Sequence, residues 1–158
     1  MGQRESGKEG DWMKYNRYSQ RDPIKNYFPL PNEIFCLGLC SGEISVYSYL
    51  LYRENRKTFQ CWPSYKTIGN ALKMSRNTVR KYVGLLEQKH FITTEYTEVF
   101  TKKGEKRNGN LRYTIRPIEE ASEYYYQLQL EAAAYEQAKV HAKQRLEEYD
   151  RKHGHRAG

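Results

Sequence analysis

Three side chains in one short stretch could read the edge of another molecule: Arg76, Asn77 and Arg80. A guanidinium fork can bridge guanine O6 and N7, and a carboxamide can bridge adenine N6 and N7. Arg76 and Arg80 are four residues apart, so on a helix they share a face. Ser64, Tyr65, Ser75 and Thr78 offer hydroxyl and backbone donors of the kind that fix register on phosphates. Lys66, Lys81, Lys102, Lys103, Lys106 and Arg107 are cations suited to neutralising phosphates, a contact that releases counterions and so depends on salt.

The elements that must hold these groups are legible around them. Ile68, Ala71 and Leu72 fall on one face of a helix predicted over Tyr65 to Leu72, with Ser64 as its cap. Val79, Tyr82, Val83 and Leu86 do the same for a second helix, within 75–90, capped by Ser75. Met74 lies in the turn between them, and Gly69 is small where they should approach most closely. The polar face of the second helix carries Arg76, Asn77, Arg80, Lys81 and Gln88. A basic, amide-bearing face on a capped helix suits the major groove of DNA.

Charge placement agrees with this. The net charge is +8, yet residues 53–116 carry 15 Lys and Arg against 5 Asp and Glu. The flanking stretches are near neutral or slightly acidic, so the excess lies in the middle and points to a polyanion. At 158 residues and 38% apolar composition, the chain suits one domain with extensions outside the core. Cys36, Cys40 and Cys61 are expected to be reduced, buried thiols. Cys36 and Cys40 have metal-like spacing, but no His occurs before His90, so no metal site is expected. His153 and His155 are assigned to a disordered end. No catalytic triad or phosphate-binding glycine loop is present, and no enzyme activity or cofactor is expected. No apolar run reaches membrane length, and the N-terminus lacks a signal-peptide core, so a cytoplasmic, nucleoid-associated bacterial protein is expected.

In chain order, residues 1–26 read as a disordered or flexible arm, with Trp12, Tyr15 and Tyr18 spaced three apart. Tyr27 to Pro31 is an extended lead-in. Asn32 is expected to cap a turn over Glu33 to Leu37, and Ser41 a helix from Gly42 to Glu54 with Ile44, Tyr47, Leu50 and Leu51 inside. Thr58 to Trp62 reads as a short strand. Phe91 to Phe100 and Leu111 to Arg116 are β-rich, and the glycine-containing basic stretch 101–110 between them reads as the tip of a hairpin.

From Ile118 the pattern is helical to about residue 151, followed by a frayed tail at 152–158. Ile118, Ala121, Tyr125, Leu128, Ala132, Tyr135, Lys139, Ala142, Leu146 and Tyr149 step by three and four, a heptad seam. The favoured reading is pairing with another copy through Ala121, Tyr125, Leu128, Ala132, Tyr135, Ala142, Leu146 and Tyr149. The alternative is packing back on its own domain.

The stretch from Pro63 through the Met74-Ser-Arg-Asn-Thr-Val79 segment to Glu87 resembles winged helix-turn-helix DNA-binding domains. More closely, Tyr27 to Pro117 resembles the helix-turn-helix proteins of plasmids, phages and conjugative elements of Gram-positive bacteria, some of which initiate replication and some of which regulate. Lys73 departs from the pattern, occupying a turn position where such motifs usually carry Gly. Either it adopts a left-handed conformation or the turn differs. The resemblance implies an α+β fold: a winged helix-turn-helix with a three-helix core and β-hairpin wing over 27–117, and a long C-terminal helix. The expected function is sequence-specific binding of double-stranded DNA by a homodimeric transcriptional regulator without a small-molecule effector. Replication or partition of a mobile element is the alternative, and a protein-interaction scaffold the third reading.

Overall fold

The computed structural model describes residues 27–154, so the predicted arm at 1–26 and the end of the tail at 155–158 lie outside the described residues. A single 3-10 turn, Asn32–Phe35, precedes helix α1, Ser41–Arg53. Then come β1 (Gln60–Cys61), α2 (Tyr65–Leu72) and α3 (Arg76–Gln88). Strands β2 (Ile92–Glu95), β3 (Glu98–Phe100), β4 (Lys106–Asn108) and β5 (Arg112–Ile115) follow, and α4 (Ile118–His153) ends the described chain. This is a winged helix-turn-helix with a long C-terminal helix.

The three helices meet on the apolar stripes their spacing predicts. Val46, Tyr47, Leu50 and Leu51 of α1, Ile68 of α2, and Val79, Val83 and Leu86 of α3 are buried together. Tyr47 packs edge-on against Phe91, ring centroids 5.2 Å apart, tying the helices to the sheet. Ala71 departs from expectation: it is exposed, because so short a helix as α2 buries only a narrow stripe. Ile44 is half-buried, and Glu43 takes the deeper place in α1.

Two caps differ from the reading of the sequence. Asn32 lies inside the 3-10 turn and makes no cap; Pro31 occupies that position. Helix α1 begins one residue early, at Ser41, with Cys40 as its N-cap. There the Cys40 N–H donates to Glu43 Oε2 at 2.7 Å, so the carboxylate three residues on closes the helix end. Glu43 Oε1 accepts from Lys89 Nζ at 2.7 Å, and the same ammonium donates to the Gly38 carbonyl at 3.1 Å. One buried carboxylate thus links the start of α1 to the end of α3.

The turn between α2 and α3 resolves the alternatives left open at Lys73, which is left-handed at φ 57° and ψ 43°. Met74 N–H then donates to the Gly69 carbonyl at 2.9 Å. A Cβ on Gly69 would lie 2.4 Å from Met74 O, so the close approach that demands glycine is to the turn as well as the helix. A left-handed L-residue costs about 1–2 kcal/mol. Lys73→Gly should therefore stabilise the fold by about 0.5–1 kcal/mol after glycine's own entropic cost, read as a higher urea midpoint at unchanged slope. The end of α3 uses a second such residue, His90 at φ 66°. Phe91 N–H reaches Leu86 O and His90 N–H reaches Glu87 O, the paired bonds of a Schellman stop.

Strand β5 lies at the centre of an antiparallel sheet in the order β1-β5-β2. Gln60 pairs with Thr114, and Ile92 with Ile115. Tyr113 and Ile115 point inward while Arg112 and Thr114 lie at the half-exposed face, the period-two pattern of a one-sided sheet. The hairpin beyond it differs from a simple strand–tip–strand. β3 and β4 form a separate ribbon with Val99 opposite Arg107, so Lys106 and Arg107 sit in a strand rather than in the loop. The loop is only 101–105, closed by Gly104 at φ 77°. The Asn108-Gly109 pair stands at the interruption between the two ribbons, where Gly109 N–H donates to Thr97 O.

The cysteines also divide differently from expectation. Cys61 is buried, its thiol donating to Leu50 O at 3.7 Å, and burial beside Glu54 pushes its pKa up to about 12. Cys36 and Cys40 are exposed, because the segment joining the 3-10 turn to α1 runs over the surface.

Helix α4 is anchored at its root and then leaves the domain. Arg116 forms a two-pronged ion pair with Glu120, His90 stacks on Tyr124 with centroids 4.5 Å apart, and Ala121 is buried. From Tyr126 every residue to Gly154 is exposed. Ala121 therefore belongs to the domain core, and it is covered where a pairing face was expected. Half-buried Tyr125 lies close beside Gly38. The helix continues through Lys152 and His153, where fraying was expected. Among the described residues, no helix is long and apolar enough to cross a membrane.

Candidate nucleic-acid interface

Three elements contribute groups to one side of the domain. The first is the N-terminus of α2. Ser64 Oγ accepts the Thr67 N–H at 3.0 Å and pairs with the Thr67 hydroxyl at 2.9 Å. Helix α3 repeats the device: Ser75 Oγ accepts the Thr78 N–H at 3.1 Å and meets the Thr78 hydroxyl at 2.8 Å. Both serines are thereby engaged as caps. The donors left at these helix starts are the backbone N–H groups of Tyr65 and Lys66, and of Arg76 and Asn77, which no intrahelical carbonyl can reach. Such termini favour anions.

The second element is the outer face of α3. Arg76, Asn77, Arg80 and Lys81 are all exposed, and the side chains of the first three make no hydrogen bond or ion pair among the described residues. The Lys81 ammonium lies 5.9 Å from the Tyr82 ring centroid. Tyr65 is half-buried between α2 and α3. Burial, with Tyr96 and Glu87 nearby, raises its pKa against the opposing influence of Arg80. Its hydroxyl therefore stays protonated and can donate.

The third element is the wing. Lys106 pairs with Glu98 at 2.6 Å and Arg107 with Glu105 at 3.5 Å, both at the surface. Lys102 and Lys103 at the loop make no ion pair among the described residues. The wing cations are thus not equivalent: two are partly neutralised by their own ribbon and two keep their full charge.

A cleft of about 310 Å³ joins the three elements, lined by Ser64, Tyr65, Lys66, Arg76 and the wing base at Gly109 to Leu111. Two contributors were not legible in the sequence. Asn110 donates through Nδ2 to Trp62 O at 3.2 Å and so fixes the wing base to β1. Tyr96, 91% exposed, stands near Tyr65. Alternation from Ile92 would turn Tyr96 inward, and only the break after Glu95 turns it out.

A helix-turn-helix domain family model matches residues 37–92, roughly a third of the chain, spanning α1 to the start of β2. No curated protein matches the chain by sequence. Among solved structures, a possible transcriptional regulator from Methanosarcina mazei Go1 is similar, at 16% identity and a TM-score of 0.47. The likeness covers 68% of this chain and 82% of that one.

Proposed function

We propose that the chain is a sequence-specific binder of double-stranded DNA acting as a transcriptional regulator, with α3 in the major groove. The observation that carries this reading is the open, unpartnered face of Arg76, Asn77 and Arg80 on a helix whose buried side holds the domain core. Helix α3 is about 20 Å long, a length the major groove admits end-on or along its floor. Lys66 and the α2 N-terminus then lie against one phosphate strand, and the wing reaches the backbone or the minor groove. Ser64, Tyr65, Ser75 and Thr78 set register, and Lys81, Lys106 and Arg107 add to the phosphate contact. The exposed seam of α4, from Leu128 to Tyr149, pairs two copies, so the site has two half-sites.

The test is binding to a duplex selected from a random pool, compared with a scrambled duplex. Arg80→Ala should cost about 1–3 kcal/mol on the selected site and relax preference at one base pair. Equal loss on both duplexes would reassign Arg80 to phosphate. Lys102→Gln with Lys103→Gln should make the slope of log affinity against log salt shallower by about 1.8, since two phosphate contacts are lost. An unchanged slope would remove the wing loop from the interface.

The resemblance of Tyr27 to Pro117 to proteins of mobile elements supports a second reading, replication initiation or partition. Bound sites mapped on host DNA separate the two: reiterated sites at an origin favour the second, a single promoter site the first.

A further inference from the structure

One face of α4 reads nearly the same in both directions. Its seam from the helix root is Tyr125, Leu128, Ala132, Tyr135, and then Lys139, Ala142, Leu146, Tyr149. About the midpoint at residue 137, Leu128 matches Leu146, Ala132 matches Ala142, and Tyr125 matches Tyr149. The central pair, Tyr135 and Lys139, is the one unlike match. We infer that α4 pairs with a second copy of itself in antiparallel orientation, in the register that sets Tyr135 of each helix against Lys139 of the other. This rests on the pairing proposed above and specifies its direction.

Packing and charge both favour this direction over the parallel one. In the antiparallel register every layer but the central Tyr135–Lys139 one is like on like, with Ala on Ala, Leu on Leu and Tyr on Tyr. Each Lys139 ammonium lies against a tyrosine ring, an attractive contact. A parallel pair would instead put Lys139 on Lys139 inside the seam. The flanking residues repeat the contrast. Antiparallel pairing brings Glu131 beside Arg145 of the other copy, twice, and Tyr124 beside Lys152. It places one like pair, Glu136 with Glu136, across the axis, where Lys139 of the same helix is already 3.9 Å from Glu136. Parallel pairing sets Glu131 against Glu136 twice, offset by Arg145 with Asp150.

The root of α4 has a place for the partner's far end. A shallow apolar hollow of about 140 Å³ lies there, lined by Leu37, Phe91, Ala121, Tyr125 and Leu128. In the same register, Leu146 and Tyr149 of the second copy arrive beside Leu128 and Tyr125 at its mouth. The pairing also separates the two DNA-reading domains. The Ile118 positions stand about 57 Å apart along the pair, at 1.5 Å per residue.

The test uses the full chain with Cys36→Ser and Cys40→Ser, which removes the exposed thiols. Ala132→Cys and Ala142→Cys are made in separate chains and oxidised alone and mixed. The expected result is twice the monomer mass in solution for the parent chain, and a disulfide-linked dimer only in the mixture. Positions 132 of the two copies stand about 15 Å apart along the pair in this register, beyond disulfide reach. Cross-linking of Ala132→Cys with itself would establish parallel pairing and overturn the inference. A monomer at tens of micromolar would overturn it too. A monomer that still binds the selected duplex rejects the pairing alone. A mixed-only cross-link in a chain that binds no duplex upholds the pairing and rejects the DNA reading.

Discussion

Replacing Arg76, Asn77 and Arg80 together with Ala should abolish preference for the selected duplex while leaving the fold intact. Each is exposed and its side chain makes no hydrogen bond or ion pair among the described residues, so the substitutions break no bond that holds the fold, although Tyr65 loses the nearby Arg80 charge. Alanine is the best helix former, and α3 should lose no stability. Well-placed base contacts each discriminate by about 1–3 kcal/mol, and separated positions add roughly. A combined loss of about 4 kcal/mol, or ~10³-fold, is expected on the selected site. Residual, salt-sensitive binding through Lys66, Lys81, Lys102 and Lys103 should remain and be equal on any duplex. Gel-shift titration on selected and scrambled duplexes, alongside a thermal melt, measures both parts. If the preference ratio stays the same while the melting curve is unchanged, α3 is not the reading helix.

Glu43→Ala should destabilise the domain by about 3 kcal/mol. The carboxylate is 2% exposed and accepts from Lys89 Nζ and from the Cys40 N–H. Removing one member of a buried pair costs about 3–5 kcal/mol. The low end applies because Lys89 is 28% exposed and can turn to water. Burial alone would raise the Glu43 pKa. The Lys89 hydrogen bond, the Cys40 end of the helix and the Lys89 charge outweigh it, and the value lies below its ordinary range. The folded value is therefore lower than the unfolded one. Its contribution is complete at neutral pH and is lost as pH falls through the lowered folded value, below the ordinary Glu value of about 4.3. Urea midpoints between pH 7 and pH 3 should fall steeply at the acid end for the parent chain and less steeply for Glu43→Gln. Parallel acid limbs would assign the acid sensitivity elsewhere.

Much of the local structure follows from neighbouring residues. Ser64 and Ser75 cap their helices because each has a helical run behind it and a threonine three residues on, all within one turn. Val79, Val83 and Leu86 are buried because their spacing leaves no other face for the core. Where a polar group faces a distant partner, local pattern misleads. Ser41 looks like the cap of α1, but Glu43, held by Lys89 from the far end of α3, accepts from the Cys40 N–H, so the cap is Cys40 and the helix begins at Ser41. Tyr96 alternates inward on paper and is turned out by the break in the hairpin. Ala121 fits a heptad and is consumed by the domain instead.

The sequence by itself determined the helix-turn-helix, the concentration of positive charge between residues 53 and 116, and the helical character of the stretch from Ile118 to about residue 151. These depend on periodicity and capping, which act within a few residues. Tertiary structure alone decided which cations remain unpaired, where the hairpin is interrupted, and at which residue α4 leaves its domain. Those outcomes turn on contacts between segments far apart in the chain, such as Glu43 with Lys89 and Asn110 with Trp62, which no short-range pattern encodes.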